Sequence, residues 1–268
     1  MKQRLISSAV GLLLFGIVLH FLGSWVFNLA VATVSVLAIW ELNRAVFKGA
    51  CRSMVVMCSL PAISLLFFKV FKSYPLPFCF IYLLFVCFCL LFSRKVVTVQ
   101  KGLFVFAASL GLSFSFFSLV CLRDALPEKS RLLWILLVFA SAWVTDTCAY
   151  LVGISVGKHS FFQDVSPKKT WEGVAGGVFG SVACGVVMYL GFGEAYGFPV
   201  VGIFRLMVFL SVASGLAVFG DLFASLVKRQ SDIKDFGTIM PGHGGVLDRL
   251  DSLIFVAPYF YLVASVIK

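Results

Sequence analysis

Nine apolar segments of membrane-spanning length follow one another with little polar chain between them. They lie at 5–22, 24–42, 54–70, 76–92, 102–122, 132–153, 173–193, 204–227 and 250–267. A helix needs about 20 apolar residues to cross a hydrocarbon core, with a range of about 17–25. In lipid every backbone N–H and C=O must find its partner within the protein, so such segments become helices. The sequence therefore predicts an all-α, polytopic membrane helical bundle with about nine transmembrane helices. Composition agrees, with 61% of the 268 residues hydrophobic and 13% charged, against about half and about a quarter in soluble domains. Pro61 interrupts the third segment, which membrane helices tolerate. Only Gly23 and its neighbours separate the first two segments, which suggests a tight helical hairpin. Lys2 and Arg4 before an apolar run resemble a signal peptide. The run from Leu5 is longer than a signal h-region and a second follows at once, so it reads as an uncleaved first span.

Nine spans place the two termini on opposite sides, and the basic residues choose which. With the N-terminus in the cytoplasm, about two thirds of the 22 Lys and Arg residues fall in cytoplasmic segments, as the positive-inside rule requires. The net charge of +10 is then explained by loops at an anionic membrane surface rather than by nucleic acid. The eight Cys residues lie in or beside apolar runs, form no C-x-x-C pair and have no His at ligand spacing. They read as small apolar side chains, not as a zinc site.

Acidic residues are distributed unevenly. Glu41 is the only one in the first 120 positions, whereas Asp146, Asp164, Glu172, Asp221, Asp232, Asp235, Asp248 and Asp251 all follow position 140. Residues 1–130 accordingly read as N-terminal anchor and scaffold helices, and 131–268 as the catalytic membrane region. Asp146 and Asp221 sit inside apolar runs, and Asp248 and Asp251 at the start of the last one. A carboxylate at membrane depth is costly unless it pairs, binds an ion or faces water, so each marks a functional site by default. The nine-span topology brings all four to one depth near the cytoplasm. Helical spacing puts Asp221, Ser225 and Lys228 on one face, and Asp248, Asp251 and Ser252 on another. Hard oxygen ligands from two helices suit Mg²⁺, which takes one or two carboxylates and completes its shell with water and phosphate.

Two polar loops flank these carboxylates. Ser166–Pro167–Lys168–Lys169–Thr170–Trp171–Glu172 offers two adjacent lysines as a phosphate clamp. The loop 228–249 carries Lys228, Arg229, Lys234 and Arg249, with Gly237, Gly242, Gly244 and Gly245 around His243. Its glycines would let backbone N–H groups approach a phosphate. Two patterns are decoys. Gly153-x-x-x-Gly157-Lys158-His159 is one residue short of a P-loop and lacks its Ser/Thr. Gly173, Gly177 and Ser181, like Gly176, Gly180 and Cys184, recur every four residues, the mark of a helix-packing ladder.

The run from Ser225 through Lys228, Arg229, Lys234, Asp235, Gly237, Pro241, Gly242, His243, Gly244, Gly245, Asp248 and Arg249 to Asp251 resembles the signature of the phosphatidate cytidylyltransferase (CDP-diacylglycerol synthase) family. The upstream runs Asp146–Tyr150 and Ser166–Gly173 resemble it too. The motifs cover about the last 130 residues, and Cys148 stands where the family commonly has Gly. The resemblance implies a polytopic, homodimeric helical enzyme that uses a divalent metal, Mg²⁺, with Asp221 and Asp248 as its ligands. It implies that Lys168, Lys169, Lys228, Arg229, Lys234 and Arg249 hold CTP and phosphatidate. Asp146, Glu172, Ser225, Asp235, His243 and Asp251 complete the candidate catalytic set, with His243 in a loop or phosphate-contact role. The sequence is silent on a second ion, such as K⁺, beside Mg²⁺.

Three rivals are weighed against this, and the intact carboxylate set argues against one of them, a catalytically dead scaffold. A secondary transporter or channel also carries intramembrane carboxylates, but near the midplane and often between repeated halves. A CDP-alcohol phosphotransferase would need an Asp-Gly-x-x-Ala-Arg pattern, which is absent.

Overall fold

The computed structural model describes residues 2–48, 75–92, 98–197, 202–240, 242 and 244–267. Its elements are all helices: α1 (Lys2–His20), α2 (Trp25–Phe47), α3 (Pro75–Phe92), α4 (Val99–Ala125), α5 (Glu128–Val156), α6 (Trp171–Phe192), α7 (Ile203–Gln230), α8 (Leu247–Leu250) and α9 (Leu253–Ile267). Among the described residues β-structure is limited to two isolated bridges. Five helices, α2, α4, α5, α6 and α7, are long and apolar enough to cross a membrane. Shorter apolar stretches run over Ile6–His20, Phe80–Phe92 and Leu253–Val266. Large apolar side chains stand on the outside, including Leu13 of α1, Phe179 of α6 and Phe204 of α7. Lipid is the solvent that accommodates such a surface, so this is a multi-pass helical membrane protein. The expected span at 54–70 lies outside the described residues.

The chain divides into two compact units. One contains residues 1–120 and 231–249, the other residues 121–230 and 250–268. In the first, α1 and α2 are joined by the short turn 21–24. Ser24 caps α2, its hydroxyl accepting the Val26 N–H at 3.2 Å.

In the second unit α5 and α6 make the most extensive helix pairing, and the small-residue ladder explains it. A Cβ added at Gly173 would lie 2.7 Å from the Ala149 carbonyl oxygen, and one at Gly177 would lie 2.8 Å from that of Thr145. Ser181, one step further, donates to the Ser141 carbonyl at 3.5 Å. Each step of four along α6 thus descends four along α5, an antiparallel close packing that only small residues permit. On the second row Gly180 lies against Cys148, where a Cβ at 180 would meet the Cys148 Cβ at 2.8 Å. The Gly180 gap therefore receives the larger residue found at 148. Thr145 of α5 and Ser214 of α7 share a buried hydrogen bond of 2.7 Å. Trp134, Phe209 and Phe260 join α5, α7 and α9 through edge-on ring contacts. Gly177→Val should lower stability by about 1–3 kcal/mol, the usual penalty of overpacking. A thermal-unfolding assay in detergent checks this, and an unchanged melting temperature would contradict the close register.

One expectation needs correction. The segment 250–267 is not one helix continuous with Asp248. The short α8 ends at Leu250, and α9 starts at Leu253. At the break, Asp251 Oδ1 accepts the Ser252 N–H at 2.9 Å. Asp248, Asp251 and Ser252 therefore do not share a helical face.

Candidate active site

The site in the second unit is built around Asp221 of α7. Its neighbour Gly220 has no side chain, and a Cβ there would fall 2.5 Å from the Asp251 carbonyl oxygen. That missing side chain lets the 251–252 break sit directly on α7, which carries Asp251 to Asp221. Asp146 of α5 arrives from a third element, and the three carboxylates lie within electrostatic reach of one another. Like charges brought together at membrane depth repel unless cations compensate them. Two lysines do so. Lys169 Nζ is 2.6 Å from Asp221 Oδ2, and Lys228 Nζ is 3.9 Å from Asp251 Oδ2. Ser225, one turn along α7, donates to Asp221 Oδ1 at 3.5 Å, as its i+4 spacing predicts.

The loop between α5 and α6 is folded by its own backbone. Ser160 and Thr170 form an antiparallel bridge, with Phe161 N–H donating to the Lys169 carbonyl at 2.7 Å and Trp171 N–H to that of His159 at 3.0 Å. Thr170 caps α6 by accepting the Gly173 N–H at 3.1 Å. Glu172 closes the loop. One of its oxygens accepts the Lys158 and His159 amides, and the other lies 2.6 Å from His159 Nδ1. Glu172 thus acts in this structure as a loop clasp. The bridge also separates the two lysines, since Lys169 turns to Asp221 while Lys168 is exposed. Arg229 Nε donates to the Val165 carbonyl at 3.4 Å, pinning the same loop to the end of α7. The P-loop-like run begins inside α5, where Gly153 lies, and leaves it at the extended residue Gly157, whose N–H donates to the Gly153 carbonyl.

The first unit contains Asp248 and the glycine turn. Met240 and Gly244 pair across a tight turn in which Gly242 and Gly244 take φ of 77° and 87°, values that favour glycine. Pro241 and His243 lie outside the described residues, and with them the role expected of His243. Asp248 Oδ2 accepts the Phe236 N–H at 2.8 Å and the Gly245 N–H at 2.9 Å. The next two amides, Val246 and Leu247, donate to Glu41 Oε1 at 3.0 Å and Oε2 at 2.8 Å. The sequence reading of a glycine loop open to phosphate therefore changes. Four of its amides already serve carboxylates of this chain. Lys234, Asp235 and Arg249 are exposed. Asp232 pairs with Lys48 at 3.3 Å on the surface, an interaction worth little in water.

Glu41 is the participant that sequence reasoning passed over. The signal was present, because it is an acid inside an apolar helix, the same property that singled out Asp146. Among the described residues no group of three or more His, Cys, Asp and Glu side chains forms a metal cage. Mg²⁺ does not need one, since it keeps waters and takes phosphate oxygens. The oxygen-only donors around Asp221 fit it.

The whole chain can be compared with known proteins. Residues 2–267 match the Cytidylyltransferase family. The chain belongs to the cytidylyltransferase family. By that membership it is a nucleotidyltransferase. This cytidylyltransferase is 30% identical to the phosphatidate cytidylyltransferase of Thermotoga maritima, over 89% of the chain and 87% of that protein. It is 32% identical to that of a Synechocystis species, over 97% and 94% of the two chains. With the Bacillus subtilis phosphatidate cytidylyltransferase the identity is 34%, over 64% of this chain and 61% of the relative's length. Neither the family nor these relatives support a transporter or channel.

Proposed function

We propose that this cytidylyltransferase transfers CMP from CTP to phosphatidate, giving CDP-diacylglycerol and pyrophosphate in phospholipid biosynthesis. The reading is carried by the family match along residues 2–267, which includes every carboxylate and lysine of the Asp221 cluster. A phosphatidate oxygen forms a bond to the α-phosphorus of CTP as the bond to the β-phosphoryl oxygen breaks, and pyrophosphate leaves with the electron pair. A phosphomonoester ionises for the second time near pH 6 and is largely dianionic at pH 7, so no general base is required. The chain's task is to position two anions and to balance their charge. Lys169 and Lys228 supply positive charge beside the carboxylates, and Arg229 presents a planar fork suited to phosphate. Lys168, Lys234 and Arg249 add charge at exposed positions.

Mg²⁺ serves this reaction in our reading, with Asp221 and Asp248 as the ligands that the family resemblance implies. When bound, it would neutralise triphosphate charge. Asp146, Ser225 and Asp251 surround Asp221 and shape its field. Purified protein supplied with phosphatidate and CTP should release pyrophosphate and CDP-diacylglycerol in equal amounts. Pyrophosphate release without lipid product would count against the reading.

We further propose nine spans, a homodimer, and a place in the bacterial cytoplasmic membrane with the N-terminus and the loops 154–172 and 228–249 on the cytoplasmic side. The basic residues support this orientation. Asp232 is well exposed, so a single cysteine placed there reports its side. An impermeant thiol reagent should label it only after the membrane is opened, and labelling in intact cells would reverse the topology.

A further inference from the structure

Glu41 is fully buried on α2, in a helix long and apolar enough to span a membrane. An unsatisfied carboxylate there would be strongly unfavourable. It is satisfied by the amides of Val246 and Leu247, 205 and 206 positions away in sequence. Hydrogen bonds to a charged acceptor are about twice as strong as neutral ones. The fit is steric as well. A Cβ on Gly237 would lie 2.7 Å from the Glu41 Cδ, and one on Gly245 would lie 2.6 Å from it. Both glycines are buried. The loop closes around this carboxylate, and a side chain at either position would displace it. Gly245 also gives its N–H to Asp248. Three consecutive amides are thus divided between two carboxylates, and the position of one fixes the direction of the other.

We infer that Glu41 is a positioning residue, reaching from the first half of the chain to hold the 236–248 loop so that Asp248 is aimed for the reaction. This rests on the reading of Asp248 as a functional carboxylate. Glu41→Gln keeps the size but turns an NH₂ group toward one of the two amides, which removes a charge-assisted bond. The kcat for CMP transfer should fall about tenfold or more, as expected for one such bond, while the KM for CTP changes much less. Hydrogen exchange gives a readout independent of activity. Exchange at Val246 and Leu247 should rise at least about tenfold, and that of α5 should not change. Gly245→Ala, which keeps Glu41 but forces the loop away from it, should reproduce both effects. In a Glu41→Ala background the Gly245→Ala substitution should add little, because the obstacle is gone. Unchanged exchange and kcat in Glu41→Gln would overturn the inference. So would a rise in exchange spread equally over α5 and the loop in both Glu41→Gln and Gly245→Ala, since Glu41 would then be a general stabiliser. If the unsubstituted protein shows no CMP transfer while the loop exchange responds as stated, the activity reading fails and the clasp remains.

Discussion

Asp221→Asn should remove most of the activity while leaving the helical bundle intact. Asn has nearly the same shape and can still accept from Ser225, but it lacks the charge that holds Lys169 at 2.6 Å and that a divalent cation needs. Electrostatic stabilisation by a bound metal is worth several kcal/mol, so kcat should drop by roughly 100-fold or more. Asp248→Asn should behave alike. Its side-chain oxygen can still accept the Phe236 and Gly245 amides, so the loop is kept while the charge is lost. If both act through one ion, the double variant should be barely worse than either single one, because residues that work as a unit are not additive. Asp164 is exposed in the α5–α6 loop, and Asp164→Asn should be close to neutral. Steady-state assays across a Mg²⁺ titration, with gel filtration to confirm folding, decide the matter. Folded Asn variants that stay active at limiting Mg²⁺ would remove the metal role from these residues. Multiplicative losses in the double variant would show that the two carboxylates act separately.

Lys169→Met should destabilise the protein in a manner that Mg²⁺ repairs. The lysine is the cation on Asp221, with side-chain exposures of 22% and 27% for the two partners. Without it, Asp221 faces Asp146 and Asp251 with Lys228 as the remaining counter-charge on Asp251. A pair of intermediate burial falls between the limits of an exposed and a buried ion pair, so the loss should be about 1–3 kcal/mol. A divalent cation held by Asp221, as proposed, would replace the missing charge. Added Mg²⁺ should therefore raise the melting temperature of Lys169→Met more than that of the unsubstituted protein. Activity should also fall, because the phosphate contact proposed for Lys169 is lost. Equal responses to Mg²⁺ in the two proteins would mean that Lys169 and the ion do not share a site.

Local spacing carried much of this arrangement. The four-residue repeat of small side chains in α6 gave its packing row against α5, since that repeat is a geometric property of two close helices. Asp221 and Ser225 share a face because i and i+4 always do. The features that escaped are tertiary. The break at 251–252 reflects the approach of that backbone to Gly220, which no pattern within 250–267 reveals. Lys168 and Lys169 diverge because the Ser160–Thr170 bridge turns them apart. Gly237 and Gly245 were legible as sites of close approach, but the group found there is a carboxylate more than 190 residues upstream.

Transfer of CMP, and not of a terminal phosphoryl group, to the lipid is the reaction proposed for this protein. It is tested most directly by supplying the purified protein with phosphatidate and with CTP labelled at one phosphorus at a time. Label at the α position should appear in the lipid fraction as CDP-diacylglycerol. Label at the γ position should appear only in pyrophosphate. Lipid labelled from the γ position, or lipid unlabelled from either, would contradict the account.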